Sequence, residues 1–262
     1  MIWHTDYQSA EGCVAWQGER APESDELNAF LQGPVASRLN DTEGGEAFTE
    51  HLRGLSLTGM GKTALEEVLA AEVPETRDWA AGEALAEAVL EAHHDVVLPW
   101  NTERDKRNPF ASLPGADIVG FQCDGSSHRL ALGEVKCSSE AKSPPQVMSG
   151  RSGGLTHQID NLANNLGTIC QLLKWLLPRV KHTAHEPAFN TACARFFNSE
   201  RRDLALFGIL VRDQEVRESD LQARGQQLAN RLQAPTHCHL IALYLPWPIA
   251  QLPQAIGQGG TA

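Results

Sequence analysis

The sequence lacks the spacings that would make its sulfurs structural. The 262 residues contain no Cys-x-x-Cys pair, and the six cysteines (Cys13, Cys123, Cys137, Cys170, Cys193, Cys238) are scattered. This excludes a zinc ribbon and argues against a disulfide frame, leaving reduced thiols. His182 and His185 with Cys193, and the run His237-Cys238-His239, fall short of four ligands at a zinc spacing, so they read as surface and core polar residues. Long apolar runs are also missing, and the opening MIWHTDYQSAEG lacks the basic-then-apolar order of a signal peptide. The expectation is a cytoplasmic protein with no membrane partner. GMGKT (59–63) has Ser56 where a phosphate-binding loop needs its first glycine, and no buried strand precedes it, so no nucleotide site is expected.

Positive charge is scarce at one end only. Residues 1–100 hold 5 Lys and Arg against 19 Asp and Glu, whereas residues 101–262 hold 17 against 14. A polyanion would therefore approach the C-terminal part. Basic residues gather in ERDKRN (103–108), at Lys142 and Arg151, and in ARFFNSERR (194–202).

Periodicity divides the chain into two parts. Residues 1–75, with short pieces such as SDELNAFLQ and breaks such as TEGGE, read as an acidic, mainly helical N-terminal subdomain. Residues 76–262 read as a second domain. There ETRDWAAGEALAEAVLEAHH (75–94) is a helix with Trp79, Ala86, Leu90 and Val89 on its apolar stripe, and Glu83 falls inside that stripe while Glu87 lies at its edge. DVVLPW, ADIVGF and RLALGEVKC follow as strands. Leu155, Ile159, Leu162, Leu166, Ile169 and Leu173 mark one long helix stopped at Pro178. LALFGILV is a buried strand, SDLQARGQQLANRL a helix with a Ser219/Gln222 capping box, and HLIALYL a last strand. The order implies an α/β fold with a mixed central sheet flanked by helices.

The hairpin at 116–139 carries three charges where buried strands carry apolar residues: Asp117, Glu134 and Lys136. Alternation puts Glu134 and Lys136 on one face with Val135 on the other. If the Asp117 strand pairs across the Gln122 to Arg129 turn, both carboxylates can converge on one cation. Two carboxylate oxygens, a backbone carbonyl and waters suit Mg²⁺, and Lys136 beside them can orient water or stabilise a phosphorane. Gly133 is expected to leave room for a substrate backbone, and Glu83 to add a carboxylate. A self-neutralising Glu-Lys pair at a strand end is the competing reading.

GADIVGF with Asp117, LALGEVK with Glu134 and Lys136, and GEALAE on the preceding helix together resemble the PD-(D/E)XK nuclease superfamily over about residues 79–245. The resemblance implies an αβββαβ core and a Mg²⁺- (or Mn²⁺-) dependent nuclease. It implies metal ligation by Asp117, Glu134 and the Val135 carbonyl, a catalytic role for Lys136, and Glu83 as the helical acid. Gly115-Ala116 stand where a proline can precede the aspartate. Some members carry Gln-x-x-x-Tyr on the next helix; Gln158 stands at its first position, Leu162 replaces the tyrosine, and helix-surface polarity accounts for Gln158 equally well. A finer similarity, to the nuclease component of Hachiman anti-phage systems, implies DNA degradation with a helicase partner. Arg104, Lys106, Arg107, Lys142 and Arg151 are the expected phosphate contacts. A catalytically idle binding or assembly module, or a restriction- or repair-type nuclease, are the alternatives.

Overall fold

The structure is a computed structural model and describes residues 2–55, 57–71, 80–105, 115–125, 127–150 and 153–257. The chain begins with strands β1 (His4–Glu11) and β2 (Val14–Arg20). They turn at Gly12, whose φ of +57° suits glycine. Next come α1 (Asp25–Phe30), a π-helical turn (Leu31–Val35), α2 (Ala36–Leu39), α3 (Thr42–Arg53), α4 (Gly59–Ala70) and α5 (Ala81–His93). Strand β3 (Val96–Val97) and α6 (Thr102–Asp105) precede the long hairpin of β4 (Ile118–Asp124) and β5 (Ser127–Ser138). Helices α7 (Leu155–Asn164), α8 (Leu166–Val180) and α9 (Glu186–Asn198) lead to β6 (Leu204–Arg212), α10 (Gln222–Ala229), β7 (His237–Tyr244) and α11 (Leu252–Gly257).

Among the described residues seven strands join one mixed sheet in the order β1-β2-β7-β6-β5-β4-β3. The four central strands β2, β7, β6 and β5 run parallel, and antiparallel partners flank them at both edges. Helices cover both faces. One side carries α5, where a Cβ on Gly82 would collide with Cys137 Sγ at 2.3 Å and where His94 meets Phe207 edge-on. The other side carries α7, whose Leu155 lies against Gly208, and α9, whose Phe189 meets Phe121. Double coverage explains why every residue of LALFGILVR in β6 is buried, as its unbroken apolar run requires. Each such Leu, Ile or Val contributes roughly 1.5–3 kcal/mol by leaving water.

The α/β class with a mixed, helix-flanked sheet matches the sequence reading. The N-terminal part differs from it. Residues 4–20 are strands of the central sheet, with Val14 to Arg20 in register beside Cys238 to Tyr244. HTDYQSAE gave no apolar alternation because β1 is an edge strand with both sides largely open to solvent. The one helix predicted over 155–177 is two: Asn165 takes an extended conformation (φ −93°, ψ 94°) and its side chain caps α8 by accepting from Thr168 N at 3.1 Å. Pro178 lies within α8, and α10 starts from Leu221, without a Ser219 cap. Glu87, expected at the edge of its stripe, is fully buried and pairs with Arg38 Nε at 2.8 Å. Lys62 of GMGKT sits inside α4, whose first turn is capped by Thr58 accepting from Gly61 N. Among the described residues no helix is long and apolar enough to cross a membrane.

Candidate active site

The β4–β5 turn fixes the placement of the strand charges. Gln122 pairs with Arg129 and Ile118 with Gly133, so the next position outward sets Asp117 opposite Glu134. The ladder ends there: Asp117 N–H donates to Gly133 O at 2.9 Å, and Val135 N–H donates to Asp117 Oδ2 at 2.9 Å. A strand residue sends its N–H and C=O to the same side, so the Val135 carbonyl leaves β5 toward Asp117.

Glu134 is only 4% exposed. Burial first, then the neighbouring Asp117 carboxylate, push its carboxyl up to about 8 from the usual range, against the pull of Lys136. Lys136, whose side chain is 22% exposed, bonds Glu134 Oε1 directly through Nζ. A third group reaches the same carboxylate. With its amide nitrogen turned toward β5, Gln158 of α7 donates to both Glu134 oxygens. Gly208, beside Glu134 on β6, carries no side chain, and Leu155 of α7 closes over that gap.

Glu83 stands in the first turn of α5, next to Gly82. Part of Cys137 is open to solvent, but its sulfur is packed at Gly82; that loss of water, then the charges of Glu83 and Asp117, push the thiol up to about 11. Glu83 and Asp117 therefore flank Cys137 at one end of the sheet. Among the described residues, however, no three His, Cys, Asp or Glu side chains gather as a metal-binding group. The close acidic pair is Asp117 with Glu134. Gly133 does a different job from the one expected: a Cβ there would lie 2.4 Å from Phe207 O, so the glycine accommodates β6.

The expected phosphate contacts are spread out. Lys106, Arg107 and Arg151 lie outside the described residues. Arg104 is tied to Asp105 at 3.1 Å and Asp41 at 3.5 Å, and lines a cavity of about 580 Å³ with Arg38, Trp100 and Arg179, in which neither Asp117 nor Glu134 takes part. Lys142 has an exposed side chain, and its backbone is anchored: the fully buried Arg212 donates to Lys142 O at 3.2 Å and Ser138 O at 3.0 Å. In ARFFNSERR, Arg195 is spent on Asp203 (2.5 Å) and Asp124 (2.9 Å).

The donor set fits a hard divalent cation. Once a cation displaces the Glu134 proton, two close carboxylates offset by one ammonium carry a net negative charge, and Mg²⁺ is held by one or two carboxylates while keeping several waters. No family model matches the chain, and no curated protein matches it significantly. Fold and site together define an α/β protein with an acidic pair and a lysine at the end of its sheet.

Proposed function

We propose that the chain is a metal-dependent nuclease of the PD-(D/E)XK kind, hydrolysing phosphodiester bonds of DNA. The observation that carries this reading is the Asp117/Glu134 pair with Lys136 bonded to it, where the β4–β5 ladder opens. A buried pair of like charges is destabilising unless something positive offsets it, and perturbed groups of this kind cluster at reaction centres.

In this reading Asp117, Glu134 and the Val135 carbonyl would hold Mg²⁺ or Mn²⁺, which supplies a bound water of lowered pKa and offsets charge on the phosphoryl oxygens. Asp117 is fixed by the Val135 N–H, so its second oxygen is aimed rather than free to rotate. Gln158 and Lys136 hold Glu134 from two sides. Lys136 is the partly exposed member; its ammonium can leave Glu134 to hydrogen-bond the attacking water or a phosphoryl oxygen. Hydrolysis forms one P–O bond from water and breaks the P–O bond to the leaving nucleoside; the water's proton passes to solvent or to the leaving oxygen. Glu83 would act from the α5 side as a further acid near Asp117.

The proposed setting is anti-phage defence with a helicase partner, supported by the resemblance of the Gly82-Glu83 helix start and the GExK strand. Plasmid nicking tests the enzyme reading. Cleavage requiring Mg²⁺ or Mn²⁺ and absent in Glu134→Ala and Lys136→Ala supports it; identical behaviour of wild type and both variants, with the partner present, refutes it.

A further inference from the structure

We infer that the cavity between α7 and α10 is a phosphate-binding site. It measures about 200 Å³ and is lined by Thr156, His157, Asp160, Arg224, Gln227 and Arg231, among others. Among the described residues three of its polar groups have nothing to bond. Thr156 is 6% exposed, yet its Oγ1 has no hydrogen-bond partner, and neither do the buried Nε of Arg224 and the buried Oδ1 of Asp160, an acceptor that the P–OH of hydrogen phosphate can satisfy. Leaving a buried donor or acceptor unsatisfied costs about 1–3 kcal/mol, so three around one cavity point to an occupant.

The charge selects that occupant. Arg224 and Arg231 bring two guanidinium groups against one carboxylate, Asp160, which Arg231 already neutralises. Among the described residues the Arg224 side chain uses only Nη1, donating to Gln227 Oε1 at 2.9 Å. The first turn of α7 lines the same space, and its cap residue, Gly154, offers no side chain to the leading N–H groups. A helix N-terminus, a guanidinium and a hydroxyl donating from different directions suit a tetrahedral oxyanion with several acceptor oxygens. Met148 of the lining supplies apolar wall without competing for it.

Thr156 is two residues from Gln158, so one helix presents its hydroxyl to this cavity and its neighbouring amide to Glu134. That the phosphate belongs to a nucleic-acid backbone rests on the nuclease reading; that the cavity binds phosphate does not.

The test is a titration of the full chain with inorganic phosphate, without divalent metal, followed by ³¹P NMR or calorimetry. Saturable one-to-one binding is expected, weakened at least tenfold in Thr156→Val and in Arg224→Gln. Thr156→Val conserves shape, so its melting temperature should stay near that of wild type. Absence of saturable binding, or equal binding by both variants, overturns the site and leaves the cavity to water. Displacement of phosphate by a short oligonucleotide identifies the source as backbone phosphate, and its failure identifies free phosphate. Repeating the titration with Glu134→Gln keeps this result separate from any loss of cleavage.

Discussion

Replacing Glu134 with glutamine should make the metal-free protein more stable at alkaline pH while abolishing cleavage. The folded state holds the Glu134 proton up to about pH 8, whereas the unfolded chain releases it near 4.5. Between those values the native state binds more protons than the unfolded one, so stability falls as pH rises through the window and is level above it. A tenfold change in an ionisation constant is worth about 1.4 kcal/mol, which sets a ceiling of roughly 4–5 kcal/mol across the window. The strong coupling of Glu134 to its neighbours and solvent at the partly exposed Lys136 reduce the expected loss to about 2–4 kcal/mol. Glutamine keeps the volume and cannot ionise, so Glu134→Gln should lack this slope and exceed wild type above pH 8. Denaturant unfolding at pH 5, 7 and 8.5 in EDTA measures it. Parallel profiles for the two proteins would show that the Glu134 proton is not linked to folding, and the burial argument would be wrong.

Lys136→Ala should lose nicking activity and also melt lower than wild type near pH 8, because Glu134, beside Asp117, loses the cation bonded to it; unchanged melting would show that the ion pair contributes nothing. Gly133→Ala sets a methyl 2.4 Å from Phe207 O and 3.0 Å from Phe207 Cβ, backbone and its attached carbon that cannot swing aside, so it should destabilise by about 1–3 kcal/mol or more, read as a drop in melting temperature with no change in metal affinity per folded molecule. Arg212→Met leaves Asp220 buried without its cation at 3.3 Å and should cost about 3–5 kcal/mol, while freeing the loop that Arg212 holds at Ser138 and Lys142; limited proteolysis between 139 and 150 checks that. Chelation with EDTA should stop cleavage reversibly, with Mg²⁺ or Mn²⁺ restoring it.

The pairing of Asp117 with Glu134 was legible because a hairpin with a short turn leaves one register, and Gln122 opposite Arg129 fixes every pair after it. Strand alternation likewise put Glu134 and Lys136 on one face. Gln158 was only half legible: its position on a helix was clear, but the side it presents to β5 depends on where α7 lies across the sheet. The N-terminal hairpin was missed because β1 offers no apolar face, although Gly12 between SAE and the alternating Val14, Trp16 and Gly18 was a usable signal. Glu87 misled for the opposite reason. Its helix is buried almost all round, so stripe and edge lose their meaning, and its partner Arg38 is 49 residues away in sequence. Arg104 and Arg195 show that clustered basic residues in sequence can be consumed by local carboxylates in the fold.

Strand β2 lies between β1 and β7, so residues 14–20 are held by residues 238–244. In a growing chain the β1–β2 hairpin therefore has no β7 to lie against until residues 238–244 have been synthesised. Pairings of such separation form slowly, and a molecule interrupted before Tyr244 leaves both β2 and β6 with an open edge. Translation itself thus sets the earliest moment at which the sheet, and the charged cluster at its end, can be finished.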